Sequence, residues 1–183
     1  MNFKEISPKE IKGNLISMIS DEWMLISAGD ESDHNMMTAS WGFMGEMWGK
    51  DTVIAAVRHT RHTFGFLENN DTFALVFMGD KKEVHKICGS QSGRDIDKVK
   101  ETGLTPVYSH GTMYFEEARL VIIAKKTYAD FLKPECFIDT TADGKWYNND
   151  YHKMFYGEIL TVLEKQDLKS YNRKIPPCTL YST

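Results

Sequence analysis

Short runs of β-branched and apolar residues recur along this chain, each closed by a tight turn, with only brief helical patterns between them. Trp23 to Ala28 reads as a buried strand, ended by the polar turn Gly29-Asp30-Glu31-Ser32-Asp33, and a second strand begins near Met36. Thr52 to Val57 and Thr72 to Met78 are two further strands. Between them, Thr60 to Asn69 sets Phe64 and Leu67 at helical spacing. Lys81 to Cys88 and Ile96 to Thr102 are short helices, the second stopped by Gly103. Val107 to Ser109 and Thr112 to Phe115 flank His110-Gly111 as a hairpin, Ala118 to Tyr128 is the longest strand pattern, and Met154 to Leu163 is the last. Ser7-Pro8-Lys9-Glu10 has the form of a capping box with proline at the first helical position, which predicts a helix running toward Leu15 or Ile19. Phe131 to Tyr151, rich in Pro, Asp, Gly and Asn, reads as a surface loop. Many strands with tight turns and only short helices predict a mainly β, antiparallel, closed barrel with helical insertions.

Composition narrows the function classes. At 183 residues and 42% hydrophobic, the chain suits one domain over residues 1–183 with a normal core. A net charge of −4 and a pI near 5.9 do not advertise the broad positive surface that grips a nucleic-acid backbone, so a bound anion is a small one held locally. No window reaches the roughly 18 apolar residues of a membrane span, and Met1 to Lys12 is charged without an apolar core, so a cytoplasmic protein without a membrane partner is expected. Cys88, Cys136 and Cys178 are odd in number and far apart, which suits a reducing compartment. The six histidines do not converge on a metal-ligand spacing, and no metal is expected. G-x-S-x-G, H-E-x-x-H, P-loop and G-x-G-x-x-G patterns are absent, leaving hydrolase, metalloprotease and Rossmann readings without support.

Three segments could carry chemistry. Val57-Arg58-His59-Thr60-Arg61-His62-Thr63 places two arginines and two threonines where a strand turns into a helix, and a helix start with free N–H groups and guanidinium forks can hold a phosphate. A solvated basic cap is the equally weighted alternative. Asn35-Met36-Met37-Thr38-Ala39-Ser40-Trp41 alternates small and hydroxylated residues before a large aromatic, a surface on which a flat ring can approach the backbone while tryptophan walls one end. On its own it reads more readily as an ordinary edge strand with Thr and Ser on its wet face. In Cys88-Gly89-Ser90-Gln91-Ser92-Gly93-Arg94-Asp95-Ile96-Asp97-Lys98, Lys98 could turn its ammonium into a cleft, or the glycines could serve only positive φ.

Taken together these segments resemble the flavin reductase-like family, including flavoredoxin-type proteins. The likeness is carried by Trp-Met-Leu-Ile-Ser-Ala-Gly at 23–29, Asn35-x-Met37-Thr38-Ala39-Ser40-Trp41, Val57-Arg58-x-x-Arg61-x-Thr63, the 88–98 loop, and Glu101-Thr102-Gly103-Leu104-Thr105-Pro106. It continues through Tyr114-Phe115-x-Glu117-Ala118-Arg119-Leu120 and Asp150-Tyr151-His152-Lys153-Met154-x-Tyr156-Gly157-Glu158-Ile159, and so spans about residues 23 to 160. The resemblance implies an FMN-binding split β-barrel, commonly a homodimer. Under it Met37, Thr38, Ala39, Ser40 and Trp41 line the ring with Asn35 near its edge, and Arg58, His59, Thr60, Arg61 and Thr63 hold the phosphate. Ser92, Gly93 and Lys98 approach from the insertion, and His152 faces the flavin or the reductant as the one candidate catalytic residue. The family usually has proline where His59 stands and tyrosine where His62 stands, so the loop loses a fixed φ and an aromatic contact and gains two titratable imidazoles.

The implied activity is that of an FMN-dependent oxidoreductase, passing electrons from NADH or NADPH to free flavin, iron or a redox protein. The alternatives are a flavoredoxin-like FMN carrier with no nicotinamide turnover and a barrel without catalysis.

Overall fold

The computed structural model describes residues 2–166, so Cys178 lies outside the described residues. Its strands are β1 (Phe3–Ile6), β2 (Met24–Gly29), β3 (His34–Ala39), β4 (Gly42–Met47), β5 (Lys50–Arg58), β6 (Thr72–Phe77), β7 (Pro106–Ser109), β8 (Thr112–Phe115), β9 (Leu120–Phe131) and β10 (His152–Lys165). Among the described residues five α-helices accompany them: α1 (Leu15–Ser17), α2 (His62–Asn69), α3 (Lys82–Ser90), α4 (Lys98–Thr102) and α5 (Thr140–Trp146).

Every ladder is antiparallel, and the main sheet runs β3-β2-β6-β9-β10-β5-β4 with β1 beside the far end of β10. Its two terminal strands, β3 and β4, are separated by only Ser40 and Trp41, so the sheet has to bend round until its ends meet. A Cβ on Gly42 would stand 2.9 Å from the Met24 Cε, which shows how closely the corner packs. β10 completes the curve. Its first half pairs with β5 (His152 opposite Arg58) and its second half with β1 (Val162 opposite Ile6), while β9 lies along its other side.

Both faces of the central strands are covered. Ile26, Met37, Val57, Phe73, Leu75, Ile122 and Phe155 fill the barrel, with Leu67 of α2 among them. Leu25, Met36, Val76, Val121 and Ile123 point the other way, into a second cluster with Val84 and Cys88 of α3 and Met113 and Phe115 of β8. This is why Met24 to Ala28 has no polar alternation. Gly157 sits at a bulge in the β9–β10 ladder, where a Cβ would fall 2.8 Å from the Phe73 ring and from Ala124.

Local chemistry corrects four expectations. Ser7 and Glu10 do form a capping box, but the helix is one 3-10 turn, Pro8–Glu10. Gly13, at φ 110°, breaks the run, and Asn14 caps a new one, α1, that widens into a π turn over Met18–Glu22. The 131–151 segment is not all loop: Asp139 accepts from the Thr141 N–H and starts α5. β10, at 14 residues, is longer than β9 at 12. Strands β1 and β4 had not been expected at all. Among the described residues no helix is long and apolar enough to cross a membrane.

Candidate functional site

The Ser40–Trp41 corner opens onto a cavity of about 610 Å³. Trp41, Phe43 and Met44 form one wall, Leu15, Ile16 and Ile19 of the N-terminal turns another, and Leu132, Tyr147, His152 and Met154 close it from the β9–β10 side. The walls are apolar and aromatic except for Ser20, Ser40, the Tyr147 hydroxyl and the His152 imidazole. A cavity of this kind takes a ring system and orients it with few polar groups.

His152 is held from three directions. The Trp41 ring lies 4.8 Å from it, Nδ1 is 2.9 Å from the Tyr147 hydroxyl, and Arg58 stands opposite it on β5. Burial first, then the positive charge of Arg58, push its pKa down to about 4, so the imidazole is neutral at physiological pH. Burial also raises the Tyr147 phenol. The pair therefore offers a neutral hydrogen-bonding group at the cavity wall, joined by one hydrogen bond whose donor is set by the imidazole tautomer.

The segment leading to β10 lies across this wall as a strap. Trp146 packs edge-on to Trp41 at 5.2 Å, and Tyr147 stacks on Tyr151 at 4.8 Å. Arg58 secures the strap by donating to the Asp150 carboxylate and, at 2.8 Å, to the Trp146 carbonyl, with its guanidinium 5.2 Å from the centre of the Tyr147 ring.

Beside this wall, the start of α2 gathers positive charge. Arg61 occupies the N-cap position without a side-chain cap bond, is exposed, and acts electrostatically on both His152 and Lys98. His62 is held below its ordinary pKa by burial and then by the charge of Arg94. His59 and Thr60 are exposed in the turn before the helix. The start of α2 thus carries the charge of Arg61, with Arg94 near enough to act on His62, while the Phe64 N–H is bonded to the Arg61 carbonyl at 3.0 Å and Thr63 is buried.

The expected strand residues divide between two faces. Ser40 and Trp41 line the cavity. Met37 and Ala39 point into the barrel core. Thr38 turns outward, donates to the His85 carbonyl at 2.7 Å and rests against Gly89. Asn35 is buried and donates to the Thr63 hydroxyl at 2.9 Å. A Cβ on Gly93 would be 2.3 Å from Asn35 Oδ1, so Asn35, Thr63 and Gly93, from three separate elements, form one contact. Ser92 accepts from the Arg94 N–H. Neither Gly89 nor Gly93 has a positive φ. This removes the alternative that they serve only positive φ; Gly93 is needed for space, whereas a Cβ on Gly89 would meet Thr38 at an ordinary 3.4 Å.

Lys98 is not among the cavity walls. It is buried and donates at 2.9 Å to the carbonyls of both Met36 and Cys88, tying β3 to the end of α3. Burial lowers its pKa and raises that of Cys88 to about 11. The sequence reading missed Trp146, Tyr147 and Asp150 of the strap and Leu15, Ile16 and Ile19 of the N-terminal turns. The Asp139 cap and the Gly13-Asn14 break were the signals available for them.

A family model described as "Flavin reductase like domain" matches residues 17–179. No curated protein matches the chain. Among solved structures, flavoredoxin of Desulfovibrio vulgaris (Miyazaki F) superposes with a TM-score of 0.61 at 20% identity, over 79% of this chain and 69% of that one. The FMN-binding protein of Thermus thermophilus with bound 1-cyclohex-2-enone gives 0.63 at 19% identity, over 89% and 83%. NADH:FAD oxidoreductase of Streptomyces globisporus, in complex with NAD and FAD fragments, gives 0.57 at 15% identity, over 78% and 74%. These likenesses establish a shared split-barrel fold.

Proposed function

The chain belongs to the flavin reductase-like family, and from that premise we propose that it is an FMN-binding oxidoreductase that takes electrons from NADH or NADPH, working as a homodimer. One observation carries the reading: the β5–β10 register and the Trp41–His152 contact put an aromatic-walled cavity next to the basic start of α2.

The residues present fit the cofactor in most respects. Trp41, Phe43 and Met154 supply flat apolar walls for the ring. Arg61, Thr63 and the α2 N–H groups would take the phosphate. The Thr63 hydroxyl accepts from Asn35 and keeps its own proton to donate. Bound FMN supplies reversible one- and two-electron chemistry. The protein's own part is to exclude water with Trp41, Trp146 and Leu132, and to present the Tyr147–His152 pair as a neutral hydrogen-bond partner at the wall.

Purified protein tests this directly. A flavin absorption band that bleaches anaerobically with NADH or NADPH is the expected result. A bound flavin that stays oxidised with both nicotinamides and is reduced only by a protein donor would replace the reductase with an electron carrier. Colourless protein that takes up no FMN would overturn both.

A further inference from the structure

Arg58 was expected to face a phosphate, yet it is already engaged by an anion of this chain. One terminal nitrogen donates to the Asp150 carboxylate and the other, at 2.8 Å, to the Trp146 carbonyl. Asp150 itself is fixed. Its second oxygen accepts from the Asn148 N–H at 3.0 Å, and Asn149 between them holds a left-handed φ of 58°, which asparagine tolerates. These contacts, the Asn148 N–H first and Arg58 next, hold the carboxyl below its ordinary pKa, so it is ionised at neutral pH.

A phosphate monoester arriving at Arg58 therefore meets a carboxylate on the same guanidinium. Two anions this close repel, so the ligand must either displace Asp150 or bind beside it at a penalty. The ring end of a ligand would not meet this conflict, because Asp150 is not among the cavity walls. The effect is confined to the phosphate.

We propose that Asp150 is a specificity-determining residue, whose carboxylate competes with a ligand's phosphate monoester for Arg58 and so limits the preference for phosphorylated over unphosphorylated flavin. This rests on the flavin reading above. It makes the site tolerant of flavins that differ at the phosphate end, while the Arg58 bond to the Trp146 carbonyl, which does not involve Asp150, keeps the strap over Trp41.

The test is to titrate FMN and riboflavin separately into the full chain and into D150N, following flavin fluorescence. Asparagine keeps an oxygen for the Asn148 N–H and removes only the charge; D150S also keeps an acceptor and repeats the test in a second variant. The expected result is FMN binding tightened by about tenfold with riboflavin changed by less than about twofold. Equal shifts for both flavins, or none, overturn the proposal. Inorganic phosphate alone, followed by tryptophan fluorescence, separates the two ideas. If neither flavin binds, the proposed function fails, while tighter phosphate binding by D150N still supports the role of Asp150 and unchanged phosphate binding overturns it.

Discussion

The Tyr147 hydroxyl and Nδ1 of His152 lie 2.9 Å apart, in a wall that Trp41 and Trp146 shield from water. A second buried imidazole, His85, sits on the opposite side of β3, beneath Trp23 and against Thr38. Its Nε2 has no hydrogen-bond partner among the described residues.

Both imidazoles make stability depend on acid. Burial, reinforced by Arg58 for His152 and by Lys82 for His85, depresses each pKa from 6.5 to about 4. Between those values the unfolded chain binds protons that the folded chain does not, so stability falls as pH drops from 6.5 and the loss is complete below about 4. Urea midpoints measured across this window should decrease steadily, and H85F should flatten part of the decrease. A flat profile in the parent protein would show that neither imidazole is held neutral.

Arg61 and Arg58 should contribute unequally to FMN affinity. Arg58 is shared with Asp150, whereas Arg61 is exposed at the α2 start. R61A should cost roughly 1.5 to 3 kcal/mol of FMN binding, the usual worth of a charged hydrogen bond, and R58A less. Riboflavin should bind R61A as it binds the parent, whereas R58A, which also frees the strap, should weaken binding of both flavins; fluorescence titration reads all four values.

Asn35, Thr63 and Gly93 should behave as one unit. G93A drives a methyl into Asn35 Oδ1 and breaks its bond to Thr63, so it should destabilise by about 1 to 3 kcal/mol. In an N35A background the same change should cost about 1 kcal/mol less. Strict additivity in a denaturation cycle would mean that the two residues do not touch.

Lys98 should matter to folding through its two carbonyl partners. K98M leaves Met36 O and Cys88 O buried without that donor and should cost about 2 to 4 kcal/mol in chemical denaturation. A stability within about 0.5 kcal/mol of the parent, as is usual for a solvated surface lysine, would contradict this placement.

At the bulge, G157A should destabilise by about 1 to 3 kcal/mol, because its methyl has only the Phe73 ring and Ala124 to displace. Loss of near-ultraviolet aromatic signal alongside the lower midpoint would locate the damage at Phe73.

What could be read from the sequence was whatever local physics decides. β2, β5 and β6 are buried on both faces, so their apolar runs were visible without knowing their neighbours. The His110-Gly111 turn, with both φ positive, has the residues a tight hairpin needs. β4 was hidden because Gly42-Phe43-Met44-Gly45-Glu46-Met47 lacks β-branched residues and is a strand only by pairing with β5. α5 was hidden by a polar sequence with Gly144 inside it, a poor helix former that its cap and the surrounding aromatics sustain.

The site divides along the same line. The residue types at 35–41 and 58–63 suggested a ligand, and the structure brings Trp41, His152 and Arg58 to one place. No sequence pattern could tell that Lys98 would be consumed by two carbonyls, or that Asp150 would reach Arg58 across 92 positions. Such long-range polar pairing follows from the closed barrel and not from any neighbouring residue.

Because β10 is neighbour to β9, β5 and β1 at once, assembly has an order imposed by synthesis. A nascent chain that has emerged only as far as residue 151 holds every other described strand, with the β5 and β9 edges bare beside apolar side chains. Until residues 152 to 165 clear the ribosome those edges are open to pairing with other chains, which makes the interval before they emerge the one in which these strands most need shielding.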